Sequence, residues 1–384
     1  MNKYEEIQEL MRSKTRTWLV TGAAGFIGSH LAEALLKLDQ KVVGLDNFST
    51  GKRENIIQVM KAAGTKRRKH FTFIEGDIRN YATCRSACRN VDFVLHEAAI
   101  GSVPRSIDNP IETNGVNIDG FVNMLTAARD TGVSRFVYAA SSSTYGDGKR
   151  IPMIESEIGK PLSPYAVTKY VDELYADVFA RCYGTETIGL RYFNVFGPRQ
   201  DPDGDYAAVI PKWIDALLHN EPVYINGDGS TARDFCYVQN VVQANLLAAM
   251  TTDPAAINQV YNIAFGRQTT LDELFVMIRM LLSASYPAAL SRKPIYRDFR
   301  KGDMQISQAD ISKAAGLLGY SPVWDIREGM KWALDWYVST LASALPIVGD
   351  TLAQVINDDP LHTLSPTTSP PLLKTCRKRV EALT

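Results

Sequence analysis

The chain lacks the features that mark several large classes of protein. Its charge has no sign: 42 Lys and Arg balance 42 Asp and Glu, for a net charge of +0. Without a basic field there is little to hold nucleic acid or an anionic membrane, so neither is expected as a partner. The basic run Lys66-Arg67-Arg68-Lys69 is short, stands before a strand-like segment, and reads as a solvated loop. Cysteine is scarce, five in 384 residues. Cys84, Cys88, Cys182, Cys236 and Cys376 have no second Cys/His pair at metal-ligand spacing, and their number is odd. No metal is expected, and the thiols are expected to be reduced in a cytoplasmic protein. No apolar run is long enough to span a bilayer. The first sixteen residues carry several acids and no apolar core, unlike a signal peptide.

What is present is alternation. Strand-like runs near Trp18–Thr21, Val42–Leu45, Phe71–Glu75, Phe93–His96, Phe136–Ala140, Thr187–Arg191 and Val260–Ile263 are separated by helical stretches. The clearest helices lie near Ser29–Leu38, Asn117–Thr131 and Tyr165–Cys182. Such a pattern predicts an α/β fold, a Rossmann-type doubly wound parallel sheet covered on both faces. Ligands bind these sheets beyond the strand C-terminal ends, where Gly22, Asp46, Asp77, Ala98, Ser141 and Tyr192 fall. From Val195 to Asp234 the chain is rich in Pro, Gly and Asp and the alternation breaks. Residues 1–194, with 237–265 returning to them, are expected to form the dinucleotide-binding domain. Residues 195–236 and 266–340 are expected to form a smaller C-terminal substrate-binding lobe. The tail 341–384, Pro/Thr-rich around 365–371, fits no core pattern and is expected to be disordered.

Two motifs carry chemistry. Trp18-Leu19-Val20-Thr21 ends in Gly22-Ala23-Ala24-Gly25-Phe26-Ile27-Gly28, a glycine turn before an amphipathic helix. Glycines at these spacings permit a tight turn and close approach to a pyrophosphate, which the helix N-terminus then holds. Asp46 ends the second strand, where a carboxylate accepts hydrogen bonds from a ribose 2′-hydroxyl and repels a 2′-phosphate. NAD is therefore favoured over NADP. The second motif is Tyr165 with Lys169 four residues on, preceded by Ser141-Ser142-Ser143 after a strand. Residues four apart share a helix face. The Lys169 ammonium beside the phenol favours phenolate and makes Tyr165 a proton shuttle, with a serine hydroxyl holding the reacting oxygen.

Taken together, these motifs resemble a known family. They are Thr21-Gly22-x-x-Gly25-x-x-Gly28, Leu45-Asp46-Asn47, Gly76-Asp77-Ile78, His96-Glu97-Ala98-Ala99, Asn117-Ile118-Asp119-Gly120, Ser141 with Tyr165 and Lys169, and Tyr192-Phe193-Asn194. The set resembles extended short-chain dehydrogenase/reductases, and within them the bacterial UDP-N-acetylglucosamine 4-epimerases of surface-polysaccharide pathways. The resemblance runs from about Tyr4 to Tyr337 and includes Gly101-Ser102-Val103-Pro104-Arg105-Ser106 and Tyr224-Ile225-Asn226-Gly227-Asp228-Gly229.

The resemblance implies roles. Gly22, Gly25, Phe26, Ile27, Gly28, Asp46, Asn47, Asp77, Ile78, Ala98, Asn117, Tyr165, Lys169 and Tyr192 would contact tightly held NAD. Ser141, Tyr165 and Lys169 would be catalytic. Asn194, Tyr224, Arg233, Arg300 and Asp303 would hold the UDP. Gly101, Ser102, Ser141, Ser142, Ser143, Gln200, Ala208 and Ser307 would surround the sugar. The resemblance also implies a homodimer through the helices near Asn117–Thr131 and Tyr165–Cys182. The implied reaction inverts C4 of a UDP-sugar through a 4-keto intermediate without consuming NAD. Met304-Gln305-Ile306 departs from the Val-Arg-His of comparable relatives. A sugar-nucleotide 4,6-dehydratase would need Asp-Glu where Ser142 and Ser143 stand. UDP-uronic acid and UDP-glucose 4-epimerases remain open alternatives. A non-catalytic NAD-sensing regulator would have no use for Ser141, Tyr165 and Lys169 together.

Overall fold

The computed structural model describes residues 2–201, 208–299 and 305–341. Arg300, Asp303 and the tail from 342 lie outside the described residues. The chain opens with helix α1 (Lys3–Ser13), started by a capping box in which Asn2 and Glu5 satisfy each other's backbone N–H groups. Strand β1 (Thr17–Thr21), helix α2 (Phe26–Lys37) and strand β2 (Lys41–Asp46) follow. Next come α3 (Arg53–Ala63), β3 (Phe71–Glu75), α4 (Tyr81–Ala87) and β4 (Phe93–His96). A π-helical turn over Gly115–Asp119 runs into α5 (Gly120–Thr131), then β5 (Arg135–Ser141), α6 (Pro164–Tyr183) and β6 (Thr187–Tyr192). Helices α7 (Val209–Leu218) and α8 (Val238–Met250) precede β7 (Gln259–Ile263), and α9 (Leu271–Ser283) and α10 (Ile326–Leu341) close the described chain.

The strands form one seven-stranded sheet in the order β7-β6-β5-β4-β1-β2-β3. Every pair is parallel, with Trp18 opposite both Val42 and Phe93. Parallel strands covered on both faces read as near-continuous apolar runs, and β4 and β6 are buried at every residue. One face packs through Trp18, Val20, Leu35 and Leu247; the other through Leu19, Val94, Phe121 and Tyr138. The strand order reverses between β1 and β4, so their C-terminal ends open a crevice there.

A separate core joins Phe196, Ile214, Trp213 and Phe235 to Leu274, Ile278, Met330 and Tyr337. Its helices, α7, α9 and α10, were not resolved as elements from the sequence pattern. Helix α2 begins at Phe26, earlier than the expected Ser29, because Gly25 takes the N-cap position in extended backbone. Helix α1 was also not expected. Ile7 and Met11 are buried, and the Gln40 carboxamide ties the segment down. It donates to Met11 O at 2.7 Å and accepts from Arg16 N and Trp18 Nε1 at 3.0 and 3.2 Å.

Candidate active site

The turn between β1 and α2 is dictated by sterics. Gly22 has φ +66, and a Cβ there would lie 2.9 Å from the Ala98 backbone nitrogen. A Cβ on Gly28 would stand 2.1 Å from the Gly22 carbonyl oxygen. With both positions bare, α2 packs onto β1 and its first N–H groups, which have no partner within the helix, face a cavity of about 500 Å³. Gly25, Phe26, Ile27 and Gly28 line it, with Asp46, Asn47, Asp77, Ile78 and Ala98 along the adjoining strand ends. Asp46 Oδ2 accepts from Ala24 N at 2.9 Å and Oδ1 from Phe48 N at 2.8 Å. Burial pushes the Asp46 carboxyl up, and these backbone N–H groups oppose it. Arg79, paired with Asp77 at 2.7 Å, holds that carboxyl down to about 2. Asn47 Nδ2 donates to Asp77 at 2.9 Å.

The other end of the same cavity holds Ser141, Ser142, Tyr165 and Lys169. Ser163 caps α6, and the Tyr165 N–H donates to Ser106 Oγ at 3.0 Å, which fixes the helix start. Lys169 Nζ is buried; it donates to Ala139 O at 2.9 Å and to Asp172 Oδ2 at 3.3 Å. Burial pulls its pKa down, but Asp172, Tyr165 and Glu97 more than offset that, so it lies above the ordinary value and the side chain stays an ammonium. Ser141 Oγ accepts from Ser143 N at 3.2 Å and from Ser143 Oγ at 2.9 Å. With those acceptor directions filled, the Ser141 O–H is left to donate.

A second cavity, about 710 Å³, adjoins the first and shares Asn194, Val195, Gln200 and Ala208 with it. Tyr224, Arg233 and Arg297 line its far side. The Arg297 guanidinium lies 3.3 Å from the Tyr224 ring centre. Arg233 Nη1 donates to the carbonyls of Ala232 and Gln305 at 3.0 and 3.3 Å.

Several expected site residues are placed differently. Asn117 is buried and directs its amide to the Ile100 backbone and Thr168 Oγ1; it lines neither of these two cavities. Ser143 reaches the site through Ser141. Ser102 caps the helix Val103–Asp108, while Gly101 lines the first cavity. Ser307 is 3% exposed, donates its N–H to Ala232 O at 3.1 Å, and lines neither cavity. The sequence reading missed Glu97. It lines the first cavity, accepts from Tyr192 Oη at 2.8 Å, and burial pushes its carboxyl up to about 8. Only its place after a strand end hinted at this.

Residues 18–264 match the NAD dependent epimerase/dehydratase family. The chain belongs to this family. Among curated proteins it is 36% identical over 320 residues to a putative UDP-glucose 4-epimerase of Methanocaldococcus jannaschii, covering 83% of this chain and 97% of that one. Among solved structures it is similar to a UDP-N-acetylglucosamine 4-epimerase from Methanobrevibacter ruminantium in complex with UDP-N-acetylmuramic acid. There the identity is 37%, the TM-score 0.77, and 85% of this chain and 99% of that one are covered. The UDP-glucuronic acid 4-epimerase of Bacillus cereus, solved with UDP-glucuronic acid and NAD, is 31% identical with a TM-score of 0.75, covering 84% and 99%.

As in the rest of this NAD-dependent family, the cofactor is NAD, and the residues fit it. The glycine turn lets α2 start close against β1 with its unpaired N–H groups on the cavity, where they would meet a pyrophosphate, and the Asp46 carboxylate on the same cavity would oppose a 2′-phosphate. Protein denatured after purification is expected to release NAD(H) and little or no NADP, as read by enzymatic cycling assay; mainly NADP would overturn the role of Asp46. Among the described residues there is no cluster of metal-ligating side chains and no helix long and apolar enough to cross a membrane.

Proposed function

We propose that the protein is a UDP-sugar 4-epimerase that interconverts UDP-GlcNAc and UDP-GalNAc. The observation that carries this reading is one continuous site: Tyr165, Lys169 and Ser141 line the same cavity as the glycine turn and Asp46, and that cavity adjoins a second one bearing Arg233. Residues 1–194 and 237–265 are assigned to NAD, and 195–236 and 266–340 to the UDP-sugar.

In this mechanism the Ser141 O–H holds the sugar O4 while the Tyr165 phenolate takes its proton. The Lys169 ammonium supports the phenolate and is itself held by Ala139 O and Asp172. When bound, the nicotinamide supplies a reversible hydride acceptor at C4. The 4-keto sugar turns in the space beside Gln200 and Ala208 so that trigonal C4 would take the hydride back on its other face, and Tyr165 returns the proton to O4. Ser142 and Ser143 offer no second acid or base, which favours epimerisation over elimination of water. The Arg233 guanidinium supplies charge for the diphosphate.

Similarity to the M. ruminantium UDP-N-acetylglucosamine 4-epimerase supports the acetamido pair. The test is a coupled assay with UDP-GlcNAc, UDP-Glc and UDP-GlcA as alternative substrates; turnover confined to UDP-GlcA or UDP-Glc would replace the assigned sugar. Ser307→Tyr adds bulk beside Ala232, in the strand that carries Arg233. Because Ser307 is buried and lines neither cavity, the substitution is expected to overpack that strand and lower kcat/KM about tenfold or more on any UDP-sugar turned over. A loss confined to the acetamido pair would instead place Ser307 in sugar selection.

A second copy of the chain is the partner proposed for α6. Val167, Leu174, Tyr175 and Val178 are 39–49% exposed there, beside Ile107 and Ile111 at 60% and 85%. Sedimentation should give twice the chain mass, and Leu174→Lys should shift it toward monomer. The cytoplasm, where thiols stay reduced, suits the four described cysteines, all free.

A further inference from the structure

The loop leaving β6 crosses between the two cavities, and part of it adopts a backbone conformation its sequence does not favour. After Val195–Phe196 it runs Gly197-Pro198-Arg199-Gln200-Asp201. Arg199 has φ +65, left-handed backbone that is disfavoured for a residue bearing a Cβ. The side chain accounts for it. Its guanidinium is 8% exposed and forms an ion pair with Glu33 of α2, itself 16% exposed. Arg199 Nε donates to Gln58 Oε1 at 3.2 Å. Beside it, Pro198 O is bonded by His30 Nε2 at 2.8 Å. Burial, and then the Arg199 charge, hold His30 down to about 4, so the ring is neutral and Nε2–H is the donor. From the second core, buried Tyr337 donates to Gly197 O at 3.0 Å.

These anchors fix the next residue. Gln200 donates through Nε2 to Val195 O at 3.0 Å and lines both cavities. Its Oε1 is buried and has no hydrogen-bond partner among the described residues. Buried acceptors are nearly always satisfied. An orphaned one, in the wall where the two cavities meet, points to a donor brought by a ligand.

We propose that Arg199 and Glu33 are positioning residues for substrate recognition: their buried ion pair holds the left-handed turn that aims the Gln200 carboxamide oxygen at a hydroxyl or amide N–H of the sugar nucleotide. The proposal rests on reading the site as one for UDP-sugars. Glu33 is in contact with Lys37 at 2.6 Å and with Arg199, and lines neither cavity. Its effect on substrate must therefore pass through the loop.

Calorimetry on the NAD-loaded protein tests this with UDP-GlcNAc and with UDP, which lacks the sugar. Glu33→Gln is expected to weaken UDP-GlcNAc about tenfold, the worth of one well-placed hydrogen bond. It should leave UDP affinity and NAD content within about twofold, and its loss in kcat/KM should appear in KM. Gln200→Leu should reproduce that loss, and Glu33→Gln should add nothing in the Gln200→Leu background. Should Glu33→Gln not fold, Arg199→Lys, which keeps the charge but loses the fork, is measured in the same way. Equal weakening of UDP and UDP-GlcNAc, a drop in NAD content, or additivity with Gln200→Leu would overturn the proposal and leave a purely structural pair. Wild-type protein that binds no UDP-sugar would overturn the proposed function and this inference with it. Normal wild-type binding with an unchanged Glu33→Gln would overturn this inference alone.

Discussion

Tyr165→Phe is expected to lower turnover by about 10²–10⁴-fold, the usual worth of a positioned acid/base, while the purified variant still carries NAD. The substitution removes one oxygen and leaves the ring. The helix start survives, because the Ser163 cap and the Tyr165 N–H bond to Ser106 Oγ involve no phenol. Lys169 also stays in place, held by Ala139 O and Asp172. Cofactor retention should be unaffected, since the glycine turn and Asp46 lie at the other end of the cavity. Neither Ser141 nor Lys169 replaces the lost base. In the proposed mechanism the serine donates its O–H to the sugar oxygen, and the lysine is held protonated by its carboxylate neighbours. Near-normal turnover by a variant containing no residual wild-type protein would show that another group carries the proton.

Gly28→Ala is expected to cost most of the bound NAD and to destabilise the fold by about 1–3 kcal/mol, the range for overpacking, or more. The added Cβ meets Gly22 O at 2.1 Å, Gly22 C at 2.7 Å and Ala23 Cα at 3.1 Å, all backbone that cannot swing aside. Helix α2 must retreat from β1, and its N-terminal N–H groups retreat with it. Losing two charge-assisted hydrogen bonds at about 1.5–3 kcal/mol each implies at least about a hundredfold in NAD affinity. Gly132→Ala is the control. That glycine caps α5 with φ +74, and nothing lies within 4 Å of a Cβ there, so only the left-handed backbone penalty of roughly 1–2 kcal/mol applies, with NAD content unchanged. A Gly28→Ala protein with wild-type melting temperature and full NAD content would contradict the steric account.

The parts of this protein that follow from neighbours in the chain were legible in its sequence. Strand β4 has the expected bounds, Phe93–His96, because a buried parallel strand is a short apolar run stopped by polar or glycine residues; the edge strand β3 also has its expected bounds, Phe71–Glu75. Gly22, Asp46 and Tyr165 with Lys169 were readable for a similar reason. A tight turn, a strand-end carboxylate and a shared helix face are each set within a few residues. The glycine turn and the candidate proton shuttle were therefore in view from the chain alone.

Other features depend on residues far apart in sequence, and no local pattern specifies them. Helix α1 had its capping signal in Asn2 and Glu5, but its place depends on Gln40 and the buried Ile7 and Met11. Asn117 was expected at the cofactor, and the fold turns its amide to Ile100 and Thr168 instead. Glu97 meets Tyr192 only because β4 and β6 end on the same side of the sheet. The left-handed turn at Arg199 is sustained by Glu33, 166 residues away along the chain. Composition, periodicity and motif spacing determined the fold class and the cofactor and pointed to Tyr165 and Lys169 as the candidate proton-transfer pair, since those rest on backbone conformation and short-range geometry. Only the tertiary structure decided which buried polar groups find partners, because each such group must be satisfied by whatever the packed chain brings beside it. Gln200 Oε1 is one of a few buried polar atoms without a partner among the described residues, and only the packed structure places it in the wall shared by both cavities.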